Sequence, residues 1–115
     1  VVKCTMRPSA VAGFLQWLER ADVGCTVQAH AGNGIVFAAL PKLPPLGASK
    51  WIIQQLRPAL QAAGGNAIAW STTEPDELTP HAAWGGATSA TAVMQSVKRQ
   101  FDPKNLLNRG RYFFA

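Results

Sequence analysis

The spacing of apolar residues changes several times along the chain, and each change predicts an element of secondary structure. The first segment, Val1 to Met6, has the composition of a strand. Two later runs carry apolar residues at helical spacing: Val11, Phe14, Leu15 and Leu18 in the first, and Ile52, Ile53, Leu56 and Leu60 in the second. Ser9 and Ser49 stand where they can cap these helices, and Pro58 should kink or shorten the second.

Between the two helices the pattern predicts a β-hairpin. Cys25, Val27 and Ala29 alternate with polar residues, as a half-buried strand does. Gly32-Asn33-Gly34 is a turn signal, because Gly and Asn adopt positive φ at little cost. The apolar run from Ile35 to Leu40 then forms the returning strand.

The second half of the chain predicts one more strand and one more helix. Asn66 to Trp70 is the strand, Ser71 to Gly86 is a long connection, and Ser89 to Phe101 is the helix. We expect four apolar residues of that helix to face inward: Val93, Met94, Val97 and Phe101. The order predicts an α+β fold, a ferredoxin-like βαββαβ sandwich with an antiparallel sheet and helices on one face, plus a C-terminal helix and tail. At 115 residues this is a single domain, residues 1–115.

Charge and cysteine content indicate possible binding partners and the redox compartment of the protein. The formal net charge is +5, and the cations crowd the end of the chain: Lys98, Arg99, Lys104, Arg109 and Arg111. This indicates either a solvated basic tail or a contact with an anionic cofactor or partner. Cys4 and Cys25 lie on strands that are not neighbours in this topology, so we expect two free thiols and a reducing compartment.

The ends of the chain suggest a piece of a longer protein. The chain begins with Val rather than Met, and its first residues lack the basic lead and cleavage site of a signal peptide. Its apolar runs are far shorter than the roughly 20 residues that a membrane span needs. We therefore expect a segment of a cytoplasmic protein without a membrane span.

Few residues offer catalytic chemistry of their own. The two histidines, His30 and His81, have no metal-ligand spacing, so no metal site is predicted. Phosphate-binding and dinucleotide-binding glycine motifs are absent from the sequence. Two segments remain, His30-Ala31-Gly32-Asn33-Gly34 at the hairpin turn and the run from Phe101 to Arg111. Each can be purely structural, or can offer backbone, imidazole, amide and guanidinium groups to a polar ligand.

The two segments together resemble the C-terminal domain of FAD-linked oxidases. A His-x-Gly-x-Gly hairpin followed by a terminal Asp-Pro-Lys-x-x-Leu-Asn-x-Gly-Arg run is similar to that family, most of all to the FAD-binding subunit of glycolate oxidase. The chain departs from the family at three positions. Ile35 and Phe37 replace the second Asn and second His of metal-assisted members, and Arg109 replaces a Pro.

The resemblance implies the role of these residues. It would place Asn105, Asn108, Gly110 and Arg111 near the flavin as cofactor-binding residues. It would place His30, Gly32, Asn33 and Gly34 at the substrate pocket, with His30 the candidate for a catalytic group. Within a longer protein the domain would cover the flavin during oxidation of a 2-hydroxy acid such as glycolate.

The same resemblance implies that FAD is held mainly by an N-terminal domain of the parent protein, so we expect the isolated chain to be inactive. Its partners would be that domain, a small-molecule substrate and other oxidase subunits. The alternative is a stand-alone ferredoxin-like module for ligand binding or oligomerisation. Nucleic acid is not an expected partner, because Phe37 is the one aromatic residue in the predicted strands Val1–Thr5 and Ile35–Leu40.

Overall fold

A four-stranded antiparallel sheet organises the fold. The computed structural model describes residues 1–86 and 88–111. The strands are β1 (Val2–Thr5), β2 (Thr26–His30), β3 (Ile35–Ala39) and β4 (Asn66–Ala69), in the order β2-β3-β1-β4. Each neighbouring pair is antiparallel. The predicted α+β class is confirmed, and the element order is compatible with a ferredoxin-like arrangement.

Helices connect the strands and extend beyond them. They are α1 (Val11–Arg20), α2 (Ala48–Trp51), α3 (Arg57–Ala62), α4 (Pro80–Trp84) and α5 (Thr91–Phe101). A π-helical segment (Ile52–Leu56) joins α2 to α3 without a break. Short 3₁₀ turns cover Pro8–Ala10, Ala31–Asn33 and Pro75–Glu77. No helix in residues 1–86 and 88–111 is long and apolar enough to cross a membrane.

One face of the sheet and the inner sides of the helices form the core. The sheet contributes Val2, Cys4, Val36, Ala38 and Ala67, and the helices contribute Val11, Phe14, Leu18, Trp51, Ile52, Leu56 and Leu60. Burying a Leu such as Leu56 or Leu60 stabilises the fold by about 1.5–3 kcal/mol. Helix α1 and the run from α2 to α3 therefore pack on one face of the sheet. On the opposite face, which we call the open face, Lys3 and Phe37 are half-buried.

Pro58 interrupts the second helical run without ending it. Proline has no amide hydrogen, and its ring crowds the carbonyl one turn earlier, at Gln54. The π-helical segment that contains Gln54 widens the hydrogen-bond ladder there, and α3 continues to Ala62. The expected disruption is thus a local widening rather than a shorter helix.

Both predicted serine caps are wrong. Ser9 lies in the 3₁₀ turn that leads into α1, and no side chain caps that helix. Gly47 precedes α2. Ser49 Oγ instead donates to the carbonyl oxygen of Glu77 (2.6 Å) and accepts from the amide of Thr79 (3.0 Å), so it ties two loops together.

The connection from Ser71 to Gly86 contains α4, which the composition did not predict. Arg57, only 6% exposed, fixes α4 against α3 and β4. Its guanidinium donates to four oxygens: Asn66 Oδ1, His81 O, Ala67 O and Ala82 O, at 3.0–3.2 Å. Burial lowers the pKa of Arg57, but an arginine keeps its proton in proteins. A buried charge is thus held by carbonyl and amide oxygens.

Two expectations of burial are wrong. The apolar residues of α5 do not face inward: Val93 is 65% exposed and Phe101 is 81% exposed. An apolar stripe predicts which side of a helix packs against another surface, but it does not identify that surface. Strand β2 is likewise exposed along its length, because it is an edge strand beside an open groove under α1. Cys4 and Cys25 are free, as expected.

Candidate functional site

The hairpin turn places the first candidate segment at the end of β2. Ala31–Asn33 forms a 3₁₀ turn, and Gly34 alone of these residues has positive φ, +66°. A Cβ on Gly34 would lie 2.0 Å from the carbonyl oxygen of Met6. Gly34 is therefore needed for the close approach of two backbones. Gly32 has open space around it, so its surroundings leave room for a ligand.

His30 is the last residue of β2 and lies on the open face of the sheet. It pairs with Ile35 across the hairpin, and its Nε2 lies 3.3 Å from the side-chain nitrogen of Gln28. Its ring packs edge-on against Phe37, with centroids 6.1 Å apart. An exposed imidazole in this position can accept or release a proton.

A row of aromatic and charged groups continues from His30 across the open face. Phe37 packs edge-on against Trp70, with centroids 5.7 Å apart. Lys3 Nζ lies 5.3 Å from the centre of the Trp70 ring, in a cation–π contact. We call His30, Gln28, Phe37, Lys3 and Trp70 the open-face cluster.

Of this cluster the sequence predicted only His30 as a site residue. The four other members were missed: Lys3, Gln28, Phe37 and Trp70. A usable signal existed for Lys3, because alternate residues of a strand point to opposite faces. Lys3 and Phe37 alternate with buried Cys4 and Val36, and they are direct cross-strand partners. No local pattern predicts Trp70, because it follows the end of β4 and reaches Phe37 only through the strand order.

The second candidate segment is an ordered tail built around Asp102. Its carboxylate accepts from the amides of Leu106 (2.8 Å) and Leu107 (2.9 Å) and pairs with Lys98. Lys98 Nζ also donates to the carbonyl oxygen of Leu107 (2.7 Å). The hydrogen bond from Lys98, followed by those from the two amides, lowers the pKa of Asp102 to about 2. The tail is thus a defined turn held by a buried carboxylate.

The end of the tail lines an open cavity. Asn105 and Asn108 both have φ of +49°, which bends the backbone twice. The cavity, about 700 Å³, is lined by Trp84, Asn108, Arg109, Gly110 and Arg111. Asn105 Oδ1 is buried and has no hydrogen-bond partner among the described residues. The tail therefore offers two guanidinium groups and amides, and Trp84 at the end of α4 adds an indole ring, to an anionic or planar ligand.

The structure builds two candidate groups, each held by local contacts. His30, Gly32, Asn33 and Gly34 share the hairpin, and Asn105, Asn108, Gly110 and Arg111 share the tail. Within residues 1–86 and 88–111, no three His, Cys, Asp or Glu residues lie close enough to hold a metal ion.

Comparison of the chain with protein-family profiles, with curated proteins and with solved structures found no match. The family resemblance therefore rests on the two motifs, His30 to Gly34 and Phe101 to Arg111.

Proposed function

We propose that this chain is the C-terminal domain of an FAD-linked oxidoreductase that oxidises a 2-hydroxy acid such as glycolate. The observation that carries the proposal is the open-face cluster. It places His30, a lysine and two aromatic rings on the side of the sheet that no helix of the core covers. In this role the open face covers the flavin and shapes the substrate pocket.

The arrangement of elements supports a ferredoxin-like sandwich as the finer fold. Six elements follow in the order βαββαβ, and β1 lies between β3 and β4. Fold alone does not define function. The strand order nevertheless explains why His30, on an edge strand, and Lys3, on a central strand, share one surface.

The residues present are suited to contact one side of a flavin, and they do not form a site that encloses it. Phe37 and Trp70 offer apolar ring surface to a planar heterocycle, and Arg109 and Arg111 offer charge to an anionic group. FAD, when bound, supplies the acceptor for the substrate hydride. The sequence has no glycine-rich pyrophosphate cradle, so we place the main FAD contacts in an N-terminal domain of the parent protein.

The chain's own groups would act on the substrate acid. The imidazole of His30 can take the hydroxyl proton, a step that a positioned base accelerates by roughly 10²–10⁴-fold. Lys3 supplies positive charge on the same face, which favours the substrate carboxylate. Neither role needs a metal ion.

The exposed side of α5 supports assembly with another domain. An 11-residue helix is marginally stable in water without tertiary packing. Val93, Met94, Val97 and Phe101 give α5 a stripe of apolar surface that is suited to such packing. The N-terminal FAD-binding domain is the partner that the proposal implies, with other oxidase subunits as further candidates.

The proposal is tested by flavin reduction in the parent protein. His30→Ala should retain flavin but slow its anaerobic reduction by glycolate at least about 100-fold. Gln61→Ala is the matched control, because Gln61 is an exposed residue of α3, outside the open-face cluster, and it should react like the wild type. Unchanged reduction in both His30→Ala and Lys3→Ala would contradict the assignment of the open face.

The second candidate is a stand-alone module for ligand binding or oligomerisation. The exposure of Trp70 (58%) and Trp84 (43%) favours it, since exposed tryptophans are common at interfaces. This module would show concentration-dependent self-association of the chain and no flavin in the parent protein. The two candidates therefore give opposite results in the flavin measurement.

A further inference from the structure

Strand β2 forms one edge of the sheet and pairs on one side only. Its neighbour is β3, and its residues form no backbone hydrogen bond with a described residue outside the sheet. All five residues, Thr26–His30, are exposed. An unpaired edge is a template for a further strand, and β2 carries no Lys, Pro or bulge that would block one.

An apolar groove lies beside this edge, on the face of the sheet that carries the core. Val27 and Ala29 point to the same face as the buried residues of β3 with which they pair. Both are nevertheless exposed, and with Leu15 and Leu18 of α1 they line a groove of about 500 Å³. We call it the α1 groove. A strand added to β2 would place every second side chain in this groove.

One end of the α1 groove is acidic. Glu19 and Asp22 line it, both are exposed, and neither forms a salt bridge with a described residue. They lie near the start of β2, because α1 ends at Arg20 and the strand begins at Thr26. No Lys or Arg is among the described lining residues, and the C-terminus of a helix carries partial negative charge. This end of the groove therefore favours a cationic group.

We propose that the free edge of β2 binds an extended polypeptide segment from outside this chain, with the pattern apolar-x-apolar-x-Lys or apolar-x-apolar-x-Arg. The segment runs antiparallel to β2, which is the direction of every neighbouring pair in this sheet. Its two apolar residues then lie opposite Ala29 and Val27. Its cation lies opposite Cys25, at the acidic end of the α1 groove. Main-chain hydrogen bonds supply affinity, and the alternate side chains supply specificity.

A second copy of the chain fits this edge less well. Its own free edge, Thr26–His30, contains no Lys or Arg for the acidic end of the groove. Its β1 and β3 are paired on both sides, and beside β4 Arg57 donates to the carbonyl oxygens of Ala67 and of Ala82 in α4. The inference does not rest on the oxidase role, because pairing at the edge leaves the open face of the sheet uncovered.

A peptide titration of the chain tests the pairing. The probe is a blocked peptide of sequence Thr-Val-Thr-Val-Thr-Lys-Thr, and the control peptide has Glu in place of Lys. Binding is followed by the backbone ¹H–¹⁵N resonances, and the β2 amides should shift and exchange hydrogen more slowly with the Lys peptide. The Lys peptide should bind about two- to thirtyfold more tightly than the Glu peptide, because the exchange turns attraction to two carboxylates into repulsion.

A pair of charge variants locates the cation. Glu19→Gln/Asp22→Asn should abolish the preference for the Lys peptide, because it removes both carboxylates of the groove. Glu74→Gln/Asp76→Asn is the matched control, since it neutralises two exposed acids outside the groove, and it should keep the preference.

A second pair of variants tests the edge itself. Ala29→Lys places a charge on the exposed edge strand and should weaken binding of the Lys peptide at least about tenfold. Ala12→Lys adds the same charge at an exposed position of α1 outside the groove and should bind like the wild type.

The proposal is overturned if the β2 amides do not respond to the Lys peptide, or if the two peptides bind equally to the wild-type chain. An unchanged preference in Glu19→Gln/Asp22→Asn would overturn it as well. Protection of the β2 amides that rises with the concentration of the chain alone would also overturn it, by identifying a second copy as the occupant.

Discussion

Gly34 and Gly32 stand two positions apart in the hairpin turn, but their surroundings differ. Gly34→Ala would force a Cβ to within 2.0 Å of Met6 O at a φ of +66°, so it should destabilise the fold by more than about 1 kcal/mol. Gly32→Ala meets open space and should change the free energy of unfolding by less than about 0.5 kcal/mol. Urea unfolding of both variants measures this. Equal effects would contradict the structural role of Gly34.

Cys4 is the second residue with a sharp prediction. Burial, with a smaller contribution from Cys25, raises the pKa of Cys4 to about 12. The unfolded chain can ionise this thiol from about pH 8.5 upward, whereas the folded chain cannot. Ionisation of Cys4 therefore has no effect on the free energy of unfolding below about pH 8.5. Above that pH it favours the unfolded chain and lowers the free energy of unfolding, by about 1–2 kcal/mol near pH 10.

Urea unfolding across this pH range tests the thiol directly. The wild type should lose stability between about pH 8 and pH 10 relative to Cys4→Val, which has no group to ionise at this position. Parallel pH profiles for the two proteins would show that Cys4 is not protected from ionisation in the folded state.

Among the elements, α4 depends on one side chain. Arg57→Ala removes the donor to four oxygens and leaves them without their partner, so it should cost at least about 2 kcal/mol. Arg57→Lys keeps the charge but lacks the planar fork, and should recover only part of that loss. Full recovery by lysine would mean that charge, rather than the geometry of the hydrogen bonds, holds α4.

The tail after α5 depends on Asp102. Asp102→Asn should speed hydrogen exchange at the amides of Leu106 and Leu107 while leaving core amides unchanged. Arg99→Gln is the control, since it removes an exposed charge from the same helix. Because the pKa of Asp102 is lowered to about 2, the tail should keep its order above about pH 4 and lose it as pH falls towards 2.

The elements also show what a sequence can predict. Composition and apolar spacing together predicted β1 to β4, α1, the second helical run and α5, because strands and helices differ in residue type and in period. It did not identify α4, whose short segment packs through Arg57 rather than through an apolar stripe. The serine caps failed because a 3₁₀ turn and Gly47 occupy the positions before α1 and α2.

At the scale of the whole molecule, the chain is more extended than a closed domain of its length. Its radius of gyration is 15.3 Å, against about 13 Å for a compact domain of this length. The apolar residues of α5 lie outside the buried core. Both features agree with a domain that packs against a further surface.

The exposed side of α5 gives a prediction at this scale. Phe101→Glu places a charge on the apolar stripe of α5. It should change the free energy of unfolding of the chain by less than about 0.5 kcal/mol, because Phe101 is 81% exposed. In the proposed parent oxidoreductase, the same change should weaken contact with the proposed N-terminal FAD-binding domain. Limited proteolysis measures this contact, because a weaker contact should make the connection between the two domains easier to cleave. Resistance equal to that of the wild type would show that α5 does not face that domain.

The candidate site was predictable only in part. The motifs pointed to His30 and to the tail through their resemblance to FAD-linked oxidases, and the structure does not test that resemblance. The open-face cluster depends on the strand order β2-β3-β1-β4, which brings Lys3 beside Phe37, and on Trp70 folding back over both. Contacts of this kind join residues far apart in sequence, so local patterns do not contain them.

The most direct measurement is an FAD titration, followed by flavin fluorescence, of the chain alone and of the chain joined to the preceding FAD-binding segment that the proposed function implies. We predict that FAD binds only when the preceding segment is present, and that a 2-hydroxy acid then reduces it in the absence of oxygen. Tight binding by the chain alone would contradict the placement of the cofactor. Absence of flavin from both would contradict the oxidoreductase role and favour the stand-alone module.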